Sequence, residues 1–230
     1  MDTLPANRIR LPHFVSTKAP SKGEVLETDV AAPKIFVYVQ TRTDRYRRTL
    51  DLIGAIVLGA IALPILLLAC IAIFFEDGKP LVFRQTRVGR FGRLFTIYKL
   101  RTMKKTVCGD AYKPSADDSG VTRVGAILRK SSVDELPQLF NVLRGEMSIV
   151  GPRPEMPFIV RRYEKWQHLR LLVNPGLTCI WQTQCRSTVP LDHPRATTMD
   201  LEYIERASPA VDAELILRTF GAVFSARGAR

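Results

Sequence analysis

From Leu52 to Phe75 the chain carries 24 consecutive residues without a charged, hydroxyl, amide or carboxyl side chain. A helix of that length covers the roughly 30 Å hydrocarbon core of a bilayer, and core helices of globular proteins rarely stay apolar on every face. A cleaved signal peptide fits poorly, because the run begins 51 residues into the chain and continues past the small pair Ala69-Cys70. The segment is therefore expected to meet lipid. Two features favour a path that turns back over one that crosses. Nine Lys or Arg residues precede the run, and Lys79, Arg84, Arg87, Arg90 and Arg93 follow it, so both flanks read as cytoplasmic. Pro64, near the middle, removes one helical hydrogen bond and clashes with the preceding turn. A re-entrant helix-break-helix satisfies both; a proline-kinked single span is the alternative.

Either side of this segment the pattern changes. Residues 1–43, with Pro5, Pro12, Pro20 and Pro33 and no periodicity, read as a disordered cytosolic tail. Residues 44–76 form the membrane segment and 77–230 a separate domain. Leu81-Val82-Phe83 and Leu94 to Tyr98 flank the glycine-punctuated stretch Arg87 to Arg93, which predicts a β-hairpin. Residues 105–121 read as loop, 133–144 and 155–172 as helices, and Met199 to Phe224 as helix interrupted at Ser208-Pro209. No internal repeat occurs. Short strands mixed with helices place the domain in the α+β class.

Charge narrows the partners. The 230 residues hold 34 Lys and Arg against 22 Asp and Glu, a net of +12. Residues 76–130 alone hold 13 basic and 5 acidic residues. Anionic lipid, phosphorylated substrates and nucleic acid all suit such an excess. No nucleic-acid-binding module is recognisable, which makes nucleic acid the least favoured of the three. Cys70, Cys108, Cys179 and Cys185 form no C-x-x-C pair and read as reduced thiols. His13, His168 and His193 read as surface or packing residues, and Trp166 and Trp181 as core or interface aromatics.

The candidate chemistry lies between Leu128 and Pro154. Leu136, Leu139, Phe140 and Leu143 mark one helix face, and Ser132-Val133-Asp134-Glu135 before them matches a capping box. On that reading Glu135 only reaches back to the cap. The alternative is chemical: an adjacent acid pair beside Arg129 and Lys130 stays ionised. Such carboxylates can attack phosphorus or ligate a hard ion such as Mg²⁺. Shortly after, Gly151-Pro152-Arg153-Pro154 sets an arginine between two rigid residues, suited to a fork-like grip on phosphate.

Six motifs in order now define a resemblance. They are the basic-then-Asp51 entry to the proline-containing apolar run, Arg84-Gln85 with Arg87-Val88-Gly89, and Tyr98-Lys99-Leu100-Arg101-Thr102-Met103. Thr122-Arg123-Val124-Gly125, Asp134-Glu135-Leu136-Pro137-Gln138 and Gly151-Pro152-Arg153-Pro154 complete the set. Over about residues 44 to 224 the chain resembles the bacterial sugar transferase family, the monotopic polyprenyl-phosphate phosphoglycosyl transferases. The resemblance implies a re-entrant membrane helix and a catalytic domain on the cytoplasmic face of the bacterial inner membrane. It implies transfer of a sugar-1-phosphate from a UDP-sugar to undecaprenyl phosphate, with release of UMP, by a ping-pong route. Asp134 is the implied nucleophile and Glu135 its assistant through Mg²⁺, both serving as metal ligands. Arg129 and Arg153 are the implied holders of phosphate or nucleotide. Lys99 and Arg101 carry two readings, phosphate contact or a structural or lipid-facing role. A homo-oligomer is compatible with the family.

Departures from the family pattern follow Asn174-Pro175-Gly176-Leu177-Thr178. Asn174 stands where a basic residue is common, and Cys179 to Arg186 replaces the usual glycine, tryptophan and Asn-Gly-Arg. They leave the choice of sugar open. A catalytically inactive scaffold and a membrane-anchored nucleic-acid binder remain the alternative functions.

Overall fold

The computed structural model describes residues 43–105, 120–181 and 194–224. Nearly all of the 1–43 tail and of the 105–121 loop therefore lies outside the described residues. The apolar run forms α1 (Thr43–Asp77), a 35-residue helix containing Pro64, about 52 Å long at the usual rise. The expected helix-break-helix is corrected on one point: helical structure continues through Pro64. A proline forfeits only one main-chain bond, so the helix propagates past it.

This helix is not a core helix, since only 17% of its most apolar 18-residue window is buried. One narrow stripe is covered: Asp51, Ala55, Ala62, Ala69 and Ile73. The three alanines recur every seven residues, and their small side chains admit close neighbours. Ile53, Ile56, Ile61, Leu63, Leu67, Leu68 and Phe75 are exposed on the other faces.

Under the stripe lies the hairpin β1 (Val82–Val88) and β2 (Leu94–Leu100), antiparallel with Gln85 opposite Ile97. Phe95 and Ile97 of β2 join Ala55, Ala62, Leu139, Val142 and Met147 in one cluster, and Leu100 joins Ala69, Ile73 and Leu128 in another. Full burial of a side chain such as Val142 or Met147 contributes about 1.5–3 kcal/mol. The helix α2 (Arg123–Ser131) begins on a Thr122 cap whose hydroxyl accepts from the Gly125 amide.

Both ends of α1 are bound to this same domain. Arg47 pairs with Asp212 at 2.9 Å, and Arg48 donates to the Val142 and Leu143 carbonyls. Asp51 accepts from the Ser148 hydroxyl and the Ile149 amide. At the far end Glu76 accepts from the amides of Arg123 and Val124, and Asp77 from that of Lys105.

The predicted helix 133–144 is instead a 3-10 helix, Val133–Gln138, continued by α3 (Leu139–Arg144). Ser132 closes α2 in the left-handed region (φ 56°) and forms no side-chain cap. The capping-box reading at Ser132 is therefore wrong. A left-handed residue cannot present its side chain as an N-cap does. With three residues per turn in the first half, the Leu136 face does not stay aligned: Leu139 is buried but Phe140 and Leu143 are exposed. The segment 155–172 likewise divides into α4 (Pro157–Val160) and a 3-10 helix, Lys165–Leu172. A reciprocal capping box does occur there, between Glu164 and Gln167.

Strands β3 (Ser148–Val150) and β4 (Gly176–Thr178) pair in parallel. The chain then ends in α5 (Pro194–Arg206) and α6 (Pro209–Phe224), broken at Ser208-Pro209 as the pattern predicts. Leu201, Tyr203, Ile204 and Leu215 pack with Val150, Leu169 and Leu172 into the third cluster. The mixed helices and small sheets are α+β.

Candidate active site

The 3-10 turn after α2 brings Glu135 to the hairpin. Asp134 is buried. Glu135 Oε1 lies 2.6 Å from Lys99 Nζ on β2 and 3.7 Å from an Arg153 terminal nitrogen. So this carboxylate, a cap partner by its local pattern, bridges two cations from distant segments. Arg129 stands on the last turn of α2, where its Nε donates to the Thr102 hydroxyl at 2.9 Å.

Arg153 projects from the turn between β3 and α4. Burial works against its charge, but Glu135, Cys179, Glu155 and Asp134 outweigh that and hold its guanidinium more firmly protonated than usual. Its guanidinium carbon sits 5.7 Å from the centre of the Trp181 ring, a cation–π distance. The close approach beneath the turn needs two glycines. A Cβ on Gly151 would stand 2.5 Å from the Asn174 carbonyl oxygen, and one on Gly176 would stand 2.1 Å from the Gly151 nitrogen.

Arg101 stands at the end of α1, in the geometry of its structural reading. Its guanidinium is almost fully buried against the end of α1, where it pairs with the Asp77 carboxylate. The remaining donors go to the carbonyls of Pro80 (2.6 Å), Met103 (3.0 Å), Asp77 (3.2 Å) and Gly78 (2.7 Å). All five N–H donors of an arginine are thus engaged. Arg101 ties the hairpin to the helix and has no donor left for phosphate. Lys99, by contrast, belongs to the acid-pair cluster.

Several charged residues of this region are not singled out as site residues by the sequence. Arg87, nearly buried on β1, has its pKa lowered to about 10 by burial and then by Arg153. Glu155, also buried, has its carboxyl pushed up by burial, with Arg170, Arg153 and Arg87 opposing. Arg170 pairs with Asp200 of α5 at 2.5 Å and donates to the Tyr163 hydroxyl at 2.6 Å. A signal existed for Arg170, a lone charge within Leu169-Arg170-Leu171-Leu172. Asp200 offers none, since acids on α5 are as frequent on its exposed side. His168 packs edge-on to Tyr163 with ring centres 5.6 Å apart, a packing role as expected.

No group of three or more His, Cys, Asp or Glu side chains suited to a metal occurs among the described residues. The adjacent carboxylates of Asp134 and Glu135 still fit Mg²⁺, which commonly takes one or two carboxylates and completes its shell with phosphate and water.

Residues 42–226 match the model of the family described as bacterial sugar transferase. The chain is 42% identical over 192 residues to a UDP-glucose:undecaprenyl-phosphate glucose-1-phosphate transferase of Caulobacter vibrioides, covering 76% of this chain and 68% of the relative. It is 37% identical over 199 residues to the exopolysaccharide production protein ExoY of Sinorhizobium fredii, covering 79% and 87%. It is 36% identical over 197 residues to the galactosyl transferase CpsE of Streptococcus agalactiae, covering 80% of this chain but 43% of that longer relative. With the matched segment spanning α1, the acid pair and the Arg153 turn, the chain belongs to the bacterial sugar transferase family.

Proposed function

We propose that the protein transfers a sugar-1-phosphate from a UDP-sugar to undecaprenyl phosphate and releases UMP, the first membrane step of polysaccharide assembly. The observation that carries this reading is the Glu135 carboxylate held between Lys99 and Arg153, directly beside buried Asp134. Such a site offers a nucleophile and cations for phosphate in one place. The substrates named for the Caulobacter relative supply the chemical class.

The reaction proceeds in two steps. An Asp134 carboxylate oxygen attacks the sugar-linked phosphorus, and the bond from that phosphorus to the bridging oxygen breaks, so UMP leaves with both electrons. The phosphate oxygen of undecaprenyl phosphate then attacks the same phosphorus and frees Asp134. Glu135 and Asp134 would hold Mg²⁺, which neutralises diphosphate charge when bound. Arg153 grips the phosphate oxygens as a fork, Arg129 adds a cation at the end of α2, and Lys99 fixes Glu135.

The membrane arrangement belongs to the same proposal. A 35-residue helix with apolar outer faces and both ends hydrogen-bonded to one charged domain supports a course that returns to the side on which that domain lies. It enters and leaves the bilayer on the same face, the cytoplasmic face of the inner membrane by its basic flanks.

A UMP-release assay with a panel of UDP-sugars and undecaprenyl phosphate tests the reading. Turnover on at least one sugar is expected. Membrane-inserted protein without turnover on any UDP-sugar would mark an inactive scaffold instead.

A further inference from the structure

The turn that presents Arg153 is held by its carbonyls. Pro152 and Pro154 have no N–H to donate, so this segment cannot fix itself by its own ladder. Each carbonyl from residue 152 to residue 155 instead accepts from outside. The Gly176 amide donates to Pro152 at 2.8 Å and the Val88 amide to Glu155 at 2.9 Å. Between them, Arg170 donates to the Arg153 carbonyl at 2.8 Å and Arg87 to that of Pro154 at 3.1 Å. Both guanidiniums are buried. That of Arg170 is fixed in turn by Asp200 at 2.5 Å and Tyr163 at 2.6 Å, with Glu155 at 3.7 Å.

We propose that Arg170 and Arg87 are positioning residues, which aim the Arg153 guanidinium by clamping the two carbonyls beside it. The proposal rests on Arg153 acting on substrate phosphate. It assigns α5 a part in the site, because Asp200 orients Arg170. A lysine in place of either arginine keeps the charge but cannot hold several acceptors in one plane. Arg170 must serve Asp200, Tyr163 and the Arg153 carbonyl together, which needs that fork.

Two measurements test it. In the UMP-release assay, Arg170→Lys should lower kcat/KM on the order of 100-fold, the usual effect of misplacing a group by about 1 Å. Combined with Arg153→Lys, it should add no further loss, because both changes remove one aimed guanidinium. Losses that multiply, or near-normal turnover in Arg170→Lys, would overturn the proposal. Where Arg170→Lys fails to accumulate, Asp200→Asn enters the same cycle with the same expectations. The second measurement needs no turnover. The chain has two tryptophans, so Trp166→Phe leaves Trp181 as the sole emitter beneath Arg153. Arg170→Lys should shift its emission in the direction that Arg153→Ala does. A shift with Arg153→Ala and none with Arg170→Lys would overturn the clamp, even if no UDP-sugar is turned over and the proposed function fails.

Discussion

Replacing Arg101 by lysine separates its structural role from phosphate binding. The wild-type guanidinium serves the Asp77 carboxylate and four carbonyls, those of Asp77, Gly78, Pro80 and Met103. Lysine offers three donors, so at best the carboxylate and two carbonyls stay satisfied and two carbonyls lose their partners. An unpaired buried acceptor costs about 1–3 kcal/mol. Water reaching the half-exposed Asp77 side keeps the sum near the lower end, about 3 kcal/mol in all. For a domain of this size that lowers Tm by roughly 6–12 °C. The assay is thermal unfolding in detergent, followed by UMP release at a temperature where both forms are folded. Loss of Tm with kcat and KM for UDP-sugar within about twofold of wild type is expected. An unchanged Tm with a KM raised tenfold or more would refute the reasoning and return Arg101 to the substrate.

Asp134→Asn should fold, since losing a first-turn acid costs only about 0.3–1 kcal/mol, yet release no UMP, whereas wild type without acceptor should release about one per active site and gain a phosphosugar in mass; substantial turnover by the variant would exclude a covalent intermediate. Asp200, facing Arg170, Glu155 and Arg153, has its carboxyl pushed from 3.8 to about 6 by burial, with Arg170 opposing. Because the folded value is the higher one, its contribution to stability is full below 3.8 and is lost as pH rises through about 6. Turnover runs the other way, as only the ionised carboxylate orients Arg170. Wild-type kcat/KM should therefore fall as pH drops through about 6, and a profile for Asp200→Asn that keeps this limb would assign it elsewhere. Single cysteines at residues 20 and 110, in a chain lacking the native four, should both resist a membrane-impermeant thiol reagent in intact cells. Labelling at residue 20 alone would establish a span.

Sequence by itself determined the elements whose signals are local. The apolar run, the hairpin around its glycines and the break at Ser208-Pro209 each depend on neighbours a few residues away, and each stands where the pattern puts it. The acid pair and the Arg153 turn stand out as candidate chemistry in the sequence because their residue types and order are distinctive. Tertiary structure alone decided what those side chains touch. Glu135 had a satisfactory local partner in the capping-box pattern. It goes to Lys99, 36 residues away, because Ser132, in the left-handed region, offers no side-chain cap and the turn after it packs Glu135 toward β2. Arg101 and Arg153 are both arginines beside recognisable motifs, yet one is spent on the end of α1 and the other faces the acid pair. That difference comes from which carbonyls the fold leaves unpaired nearby. The same holds for Arg170 and Asp200, distant in sequence, whose shared burial makes their pairing obligatory. The course of α1 was open in the sequence because proline permits either a break or a continuous helix. The structure makes it one helix through Pro64, with an alanine stripe covered and polar anchors at both ends on one domain, contacts that only packing could bring together.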